Sequence, residues 1–159
     1  MMVTFFRVDD RLIHGQVAYS WTKHLEAEVI LVANDKVVND PIQKMSLNLA
    51  KPSGVAVEVA SVADAVKYIQ STENQNKRIF VLVNNSTDAL TFAKSNVGLQ
   101  SINLGGMRAG EGKQSVSRAI YVNDQDIQHF KEIEELGIEV EIRQVPTDSK
   151  KIFSKVVNS

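Results

Sequence analysis

Two unbroken apolar runs, Val29-Ile30-Leu31-Val32-Ala33 and Ile79-Phe80-Val81-Leu82-Val83, constrain this chain more than any other feature. Aliphatic and aromatic runs of this length, bounded by polar residues, suit strands covered on both faces, which belong to parallel sheets sandwiched between helices. The segments around them carry a helical period. Val17, Trp21 and Leu25 recur every four residues beside Ala18. Ile42, Met45 and Leu49 lie on one side of a helix near residues 41–49, and Val62, Ala65, Val66 and Ile69 form the inward face of another, capped by Ser61. Further strands are expected at Val3-Thr4-Phe5-Phe6, at 55–59 and at Ser101-Ile102-Asn103-Leu104, with a helix from residue 86 or 87 to 95. Such alternation predicts an open, mostly parallel α/β sheet of about seven strands with helices on both faces.

The C-terminal part reads as a mixed edge of that sheet. Residues 116–122 suggest one short strand near the edge. Ile127, Phe130, Ile133 and Leu136 mark the inward stripe of a helix capped at Asn123-Asp124 and stopped by Gly137. Ile138, Val140 and Ile142 alternate with Glu139, Glu141 and Arg143, the pattern of a strand with one buried face. Thr147 or Asp148 is expected to open a terminal helix with Ile152, Phe153 and Val156 turned inward and Lys150, Lys151 and Lys155 in solvent.

Size and charge narrow the function. A chain of 159 residues that is 43% hydrophobic supports one domain with a real core, taken here as residues 1–159. A formal net charge of −1 argues against nonspecific nucleic-acid binding, which depends on many Lys and Arg contacts to phosphate. The absence of cysteine excludes disulfides, thiol catalysis and thiolate metal sites. No apolar run is long enough to span a membrane and no charged-then-apolar leader is visible, so a cytoplasmic location is expected.

Chemistry concentrates in Arg7-Val8-Asp9-Asp10-Arg11-Leu12-Ile13-His14-Gly15-Gln16-Val17. The strand ends and the helix begins here, so His14 falls in a strand-to-helix loop at the sheet end where ligands of open α/β folds bind. Gly15 and Gln16 follow it with backbone N–H groups that an anion can use. Neutral imidazole, abundant at pH 7 given a side-chain pKa of about 6.5, can attack phosphorus and later leave. A transferring phosphoryl group needs fixed cations and oriented donors, and Arg11 with the helix start offers both. Asp10 is a candidate to orient the imidazole. Asp9 can instead pair with Arg7, two residues away on the same strand face, and Asp10 can simply shape the turn.

A second loop leaves another strand in the same sense: Gly105-Gly106-Met107-Arg108-Ala109-Gly110-Glu111-Gly112-Lys113. Gly105, Gly106, Met107 and Arg108 are candidate walls of the same site, with Arg108 and Lys113 adding positive charge. It is not a nucleotide-binding P-loop, because Gln114 follows Gly112-Lys113 and Met107 stands where the first glycine belongs. His24 and His129 read as surface residues and build no metal site with His14, and the spacing of Trp21 marks it as core. A receiver-like signalling domain fits poorly, since Ala60-Ser61 and Gly105-Gly106 stand where its aspartate and lysine would be. A noncatalytic anion-binding module stays open alongside phosphoryl transfer.

At these residues the chain resembles a known family. The run RVDDRLIHGQV followed by Trp21-Thr22-Lys23 is similar to the N-terminal signature of IIB components of the mannose/fructose/sorbose class of the bacterial phosphoenolpyruvate-dependent sugar phosphotransferase system. Asn103-Leu104-Gly105-Gly106-Met107, residues 126–131, Gly137-Ile138-Glu139-Val140-Glu141 and Thr147-Asp148 resemble family segments at the expected spacing. The resemblance implies phosphorylation of His14 on Nδ1 by a IIA phosphohistidine. It also implies onward transfer to a sugar carried by membrane IIC and IID components, with no metal or organic cofactor. Mannose, fructose, sorbose and N-acetylated hexosamines are all open as that sugar, and homo-oligomerisation is open as well.

Overall fold

A computed structural model describes residues 3–157. The chain runs β1 (Val3–Asp9), α1 (Gly15–Leu25), β2 (Val29–Ala33), α2 (Pro41–Ala50), β3 (Ala56–Ala60), α3 (Val62–Gln70), β4 (Ile79–Val83), α4 (Ser86–Lys94) and β5 (Ser101–Gly106). It continues with β6 (Gln114–Ser117), β7 (Ile120–Val122), α5 (Asp124–Glu135), β8 (Glu139–Ile142), β9 (Lys151–Ile152) and α6 (Phe153–Val157). The main sheet has seven strands in the order β3-β2-β4-β1-β5-β8-β9, parallel except for the antiparallel pair β8–β9. The expected fold class is the observed one.

Alternate residues of the central strands feed two separate cores, as the pleat requires. Leu31, Ile79, Val81, Val83, Phe6 and Val8 join the core that also buries Ala65, Ile69, Phe92, Phe130 and Phe153, from α3 to α6. Ile30, Val32, Phe80 and Leu82 join the other, with Ala18 and Trp21 of α1 and Leu47 of α2. Helix starts follow their caps: Asp40, Ser61, Asn85 and Asn123 each accept a backbone N–H three residues on, and Asn123 with Asp126 completes a reciprocal capping box.

Four expectations are corrected. Residues 116–122 form no strand of the main sheet; β6 and β7 make an antiparallel hairpin that rides on the end of β5, with the Met107 N–H donating to Ala119 O at 2.9 Å. The end of the chain is the two-residue strand β9 and then α6, so the terminal helix begins at Phe153, later than expected. In β8 both faces are covered, because Glu141 is buried by ion pairing. His129 is half-buried, its Nδ1 2.8 Å from Ser86 Oγ across the α4–α5 contact, whereas His24 is exposed as expected.

The apolar stripe of α2 faces solvent. Ile42, Met45 and Leu49 are 79%, 66% and 82% exposed, while Leu47 alone in that helix is buried. Period identifies a stripe but not the side that meets the sheet. Leu47→Ala should therefore cost about 2–5 kcal/mol, whereas Leu49→Ala should stay within about 0.5 kcal/mol. Urea unfolding of both variants checks the contrast.

Candidate functional site

β1 lies between β4 and β5, and its last residue Asp9 sits in register with Gly106. The loops leaving β1 and β5 therefore meet at one end of the sheet. The first is fastened at both ends: Asp10 N–H donates to Gly106 O, and Leu12 N–H donates to Asp9 O, both at 2.9 Å. Leu12 takes a left-handed φ of 60° to make this turn, and it and Ile13 are buried like pegs. His14, next in the chain, is the N-cap of α1 but caps nothing with its side chain. The ring is left to face a cleft of about 260 Å³ lined also by Asp9, Asp10, Arg11, Gly105, Gly106, Met107, Arg108, Arg118 and Tyr121.

The partner of the imidazole is Asp9, not Asp10. His14 Nε2 lies 2.8 Å from Asp9 Oδ2, and the backbone N–H of Arg11 donates to Asp9 Oδ1 at 3.0 Å. Burial pushes the Asp9 carboxyl up, but hydrogen bonding to His14, the Arg7 charge and the Arg11 N–H outweigh it and hold the group below its ordinary value. A carboxylate in that state only accepts, so Nε2 carries the proton and, in the neutral ring, Nδ1 carries the lone pair. Among the described residues nothing hydrogen-bonds to Nδ1. Asp10 turns away to Arg108, whose backbone N–H and Nε both donate to Asp10 Oδ2 at 2.8 Å. Asp10 thus fastens the second loop to the first.

Behind Asp9 lies a buried polar chain. Arg7 is 1% exposed and donates from Nε (3.2 Å) and Nη2 (3.0 Å) to Asp9 Oδ2, and from Nη1 to Asn103 Oδ1 (2.8 Å) and Arg143 O (3.2 Å). Asn103 in turn donates to Glu141 Oε1 at 3.0 Å, and Glu141 accepts Arg143 Nη2 at 2.6 Å. Trp21 closes this chain from the α1 side. It stacks on Phe5 with ring centroids 4.3 Å apart, lies 5.7 Å from the Arg7 guanidinium and 5.1 Å from that of Arg143, and donates Nε1–H to Gln144 O at 3.0 Å. Every member satisfies its neighbours, as buried charge demands.

The structure thus gathers the sequence candidates His14, Arg11, Asp10, Gly105, Gly106, Met107 and Arg108 around one cleft, with Gly15 and Gln16 exposed at the start of α1. The positioning chain of Arg7, Asn103, Glu141 and Arg143 was not legible as a unit. Arg7 and Asp9 share a strand face, which is a readable signal, and Glu141 beside Arg143 is a weaker one. Asn103 and Arg143 stand 96 and 136 positions from Arg7, and only the sheet order joins them.

A histidine held by a buried carboxylate beside arginines and a helix start is an arrangement suited to carrying phosphate on an α/β scaffold. Comparison with known proteins agrees. Residues 3–159 match the family model for the sorbose subfamily IIB component of the phosphotransferase system. The sorbose-specific EIIB component of Klebsiella pneumoniae is 38% identical over 157 residues, covering 98% of this chain and 96% of that protein. The mannose-specific EIIAB component of Escherichia coli K12 is 38% identical over 150 residues, 94% of this chain but 46% of that longer protein. The crystal structure of the IIBSor domain of the Klebsiella pneumoniae sorbose permease superposes with a TM-score of 0.95 at 36% identity, covering 99% of this chain and 97% of that one. The chain belongs to the sorbose subfamily of phosphotransferase-system IIB components, a family of sugar phosphotransfer domains. Among the described residues no helix is long and apolar enough to cross a membrane.

Proposed function

We propose that His14 Nδ1 accepts a phosphoryl group from a phosphohistidine of a IIA component and passes it to a hexose-type sugar presented by membrane IIC and IID partners. The observation that carries this is the 2.8 Å contact between His14 Nε2 and Asp9. It fixes the tautomer and the ring plane and leaves Nδ1 as the nucleophile. In the first transfer the Nδ1 lone pair attacks phosphorus, and a P–N bond forms as the donor's P–N bond breaks. In the second a sugar hydroxyl oxygen attacks, the bond to Nδ1 breaks, and the hydroxyl proton leaves to solvent. The positive charge that the ring gains while phosphorylated is balanced by Asp9. Arg11 and the N–H groups of Gly15 and Gln16 at the start of α1 stabilise the charge spread over the moving oxygens.

Residues 1–159 act as one IIB unit in the cytoplasm, docking on the transporter without a metal or organic cofactor. Relatives named for sorbose and for mannose are equally similar, so the sugar class stays at hexose-type. The test is phosphotransfer from the general phosphoenolpyruvate relay through several IIA proteins, read by intact mass. Wild type should gain one acid-labile phosphate and His14→Ala none. Wild type left unmodified by every IIA tried would favour a noncatalytic anion-binding module instead.

A further inference from the structure

A second cleft of about 330 Å³ adjoins the His14 cleft, and the two share Gly105, Arg118, Ala119 and Gln144 in their walls. The transfer steps proposed for His14 place no substrate in it. It lies between the β6–β7 hairpin, the ends of β5 and β8, and the segment leading to β9. Three cationic side chains, Arg118, Arg143 and Lys151, face one carboxylate, Asp148, with the hydroxyls of Ser117 and Ser149 beside them.

Among the described residues two of the three cations, Arg118 and Lys151, form no ion pair, and the third is paired along one edge. Arg143 is gripped on one edge only: Nε and Nη2 donate to Glu141 at 3.1 and 2.6 Å, its plane lies 5.1 Å from the Trp21 ring, and Nη1 has no hydrogen bond among the described residues. A guanidinium held that way presents its free edge without further ordering cost, the geometry that suits an oxyanion. Asp148 is committed to the wall itself, accepting the N–H groups of Gln144 at 3.0 Å and Val145 at 3.2 Å. Its other oxygen has no hydrogen bond among the described residues and can accept from a hydroxyl.

We propose that this second cleft binds a phosphate monoester of a hexose, with the phosphate between Arg118 and Arg143, Lys151 beside it, and sugar hydroxyls against Ser117, Ser149 and Asp148. The volume suits a ligand of that size. That the ester is the product of transfer rests on the phosphocarrier function proposed above; the anion chemistry of the cleft does not. Because Arg118 also walls the His14 cleft, an occupied second cleft narrows access to Nδ1, and product bound there slows rephosphorylation.

Backbone amide NMR titration of the unphosphorylated full chain with mannose 6-phosphate, inorganic phosphate and free mannose tests this. Saturable shifts are expected at residues 117–119 and 143–151 with both phosphate compounds and none with mannose. A tighter ester assigns the cleft to the product, and equal affinities assign it to free phosphate. Lys151→Gln, at an exposed position outside the His14 cleft, should weaken binding about fivefold, while His14→Ala should leave it unchanged. Phosphorylation of His14 measured on the same samples separates failure of the second cleft from failure of the carrier function. No saturable shift, shifts confined to residues 11–16, or binding indifferent to Lys151→Gln would overturn the proposal.

Discussion

Asp9→Asn should slow phosphorylation of His14 by about 10²-fold or more and unfold the protein more easily by about 3–5 kcal/mol. The kinetic loss follows from the tautomer. An Asn amide can present either its oxygen or its NH₂ to Nε2, so the lone pair is no longer fixed at Nδ1. The stability loss follows from Arg7, which is 1% exposed and finds in Asp9 its directly bonded countercharge. Stopped-flow or quenched-flow transfer from IIA and urea unfolding measure the two effects.

The same substitution has a signed pH consequence. The folded-state pKa of Asp9 is depressed, so its contribution to stability is fully present above the unfolded value of about 3.9 and is lost as pH falls through the lower folded value. Wild-type stability should fall through that acid window. Asp9→Asn, with nothing to protonate there, should show a flatter acid limb.

Gly105→Ala should be more damaging than its single methyl group suggests. Gly105 is buried on β5 directly beneath Arg7, and a Cβ there would fall inside the guanidinium. Arg7 cannot swing aside, because all three of its nitrogens are committed to Asp9, Asn103 and Arg143 O. Either the buried ion pair breaks, at about 3–5 kcal/mol, or β5 separates from β1 and the His14 cleft opens. Thermal melting of Gly105→Ala should reveal a large drop, accompanied by loss of transfer. By contrast Gly110→Ala, on an exposed loop where a Cβ meets only the stem of Lys113 at 3.5 Å, should change neither.

The element pattern was legible in the chain because burial on both faces writes itself as unbroken apolar runs, as at residues 29–33 and 79–83. The loop that carries His14 was legible as a candidate because charged residues cluster there between a strand and a helix. What could not be read were relations across the sheet. Nothing near Arg7 announces Asn103 or Glu141, since strand order β1-β5-β8 alone brings them together. The choice of Asp9 over Asp10 as partner of His14 depends on the turn made at Leu12, where a leucine in left-handed backbone leaves no local signature. For α2 the missing information was orientation: a helix that meets its sheet through Leu47 alone can show its apolar stripe to solvent.

The measurement that bears most directly on the central claim is two-dimensional ¹⁵N–¹H NMR of the histidine ring in the phosphorylated protein, which distinguishes the two ring nitrogens by their couplings to the carbon-bound protons. Phosphate on Nδ1 of His14, with a proton kept on Nε2 that is no longer fixed there in Asp9→Asn, is the predicted result. Phosphate on Nε2, or on His24 or His129, would contradict the account, because Asp9 would then have no part in presenting the nucleophile.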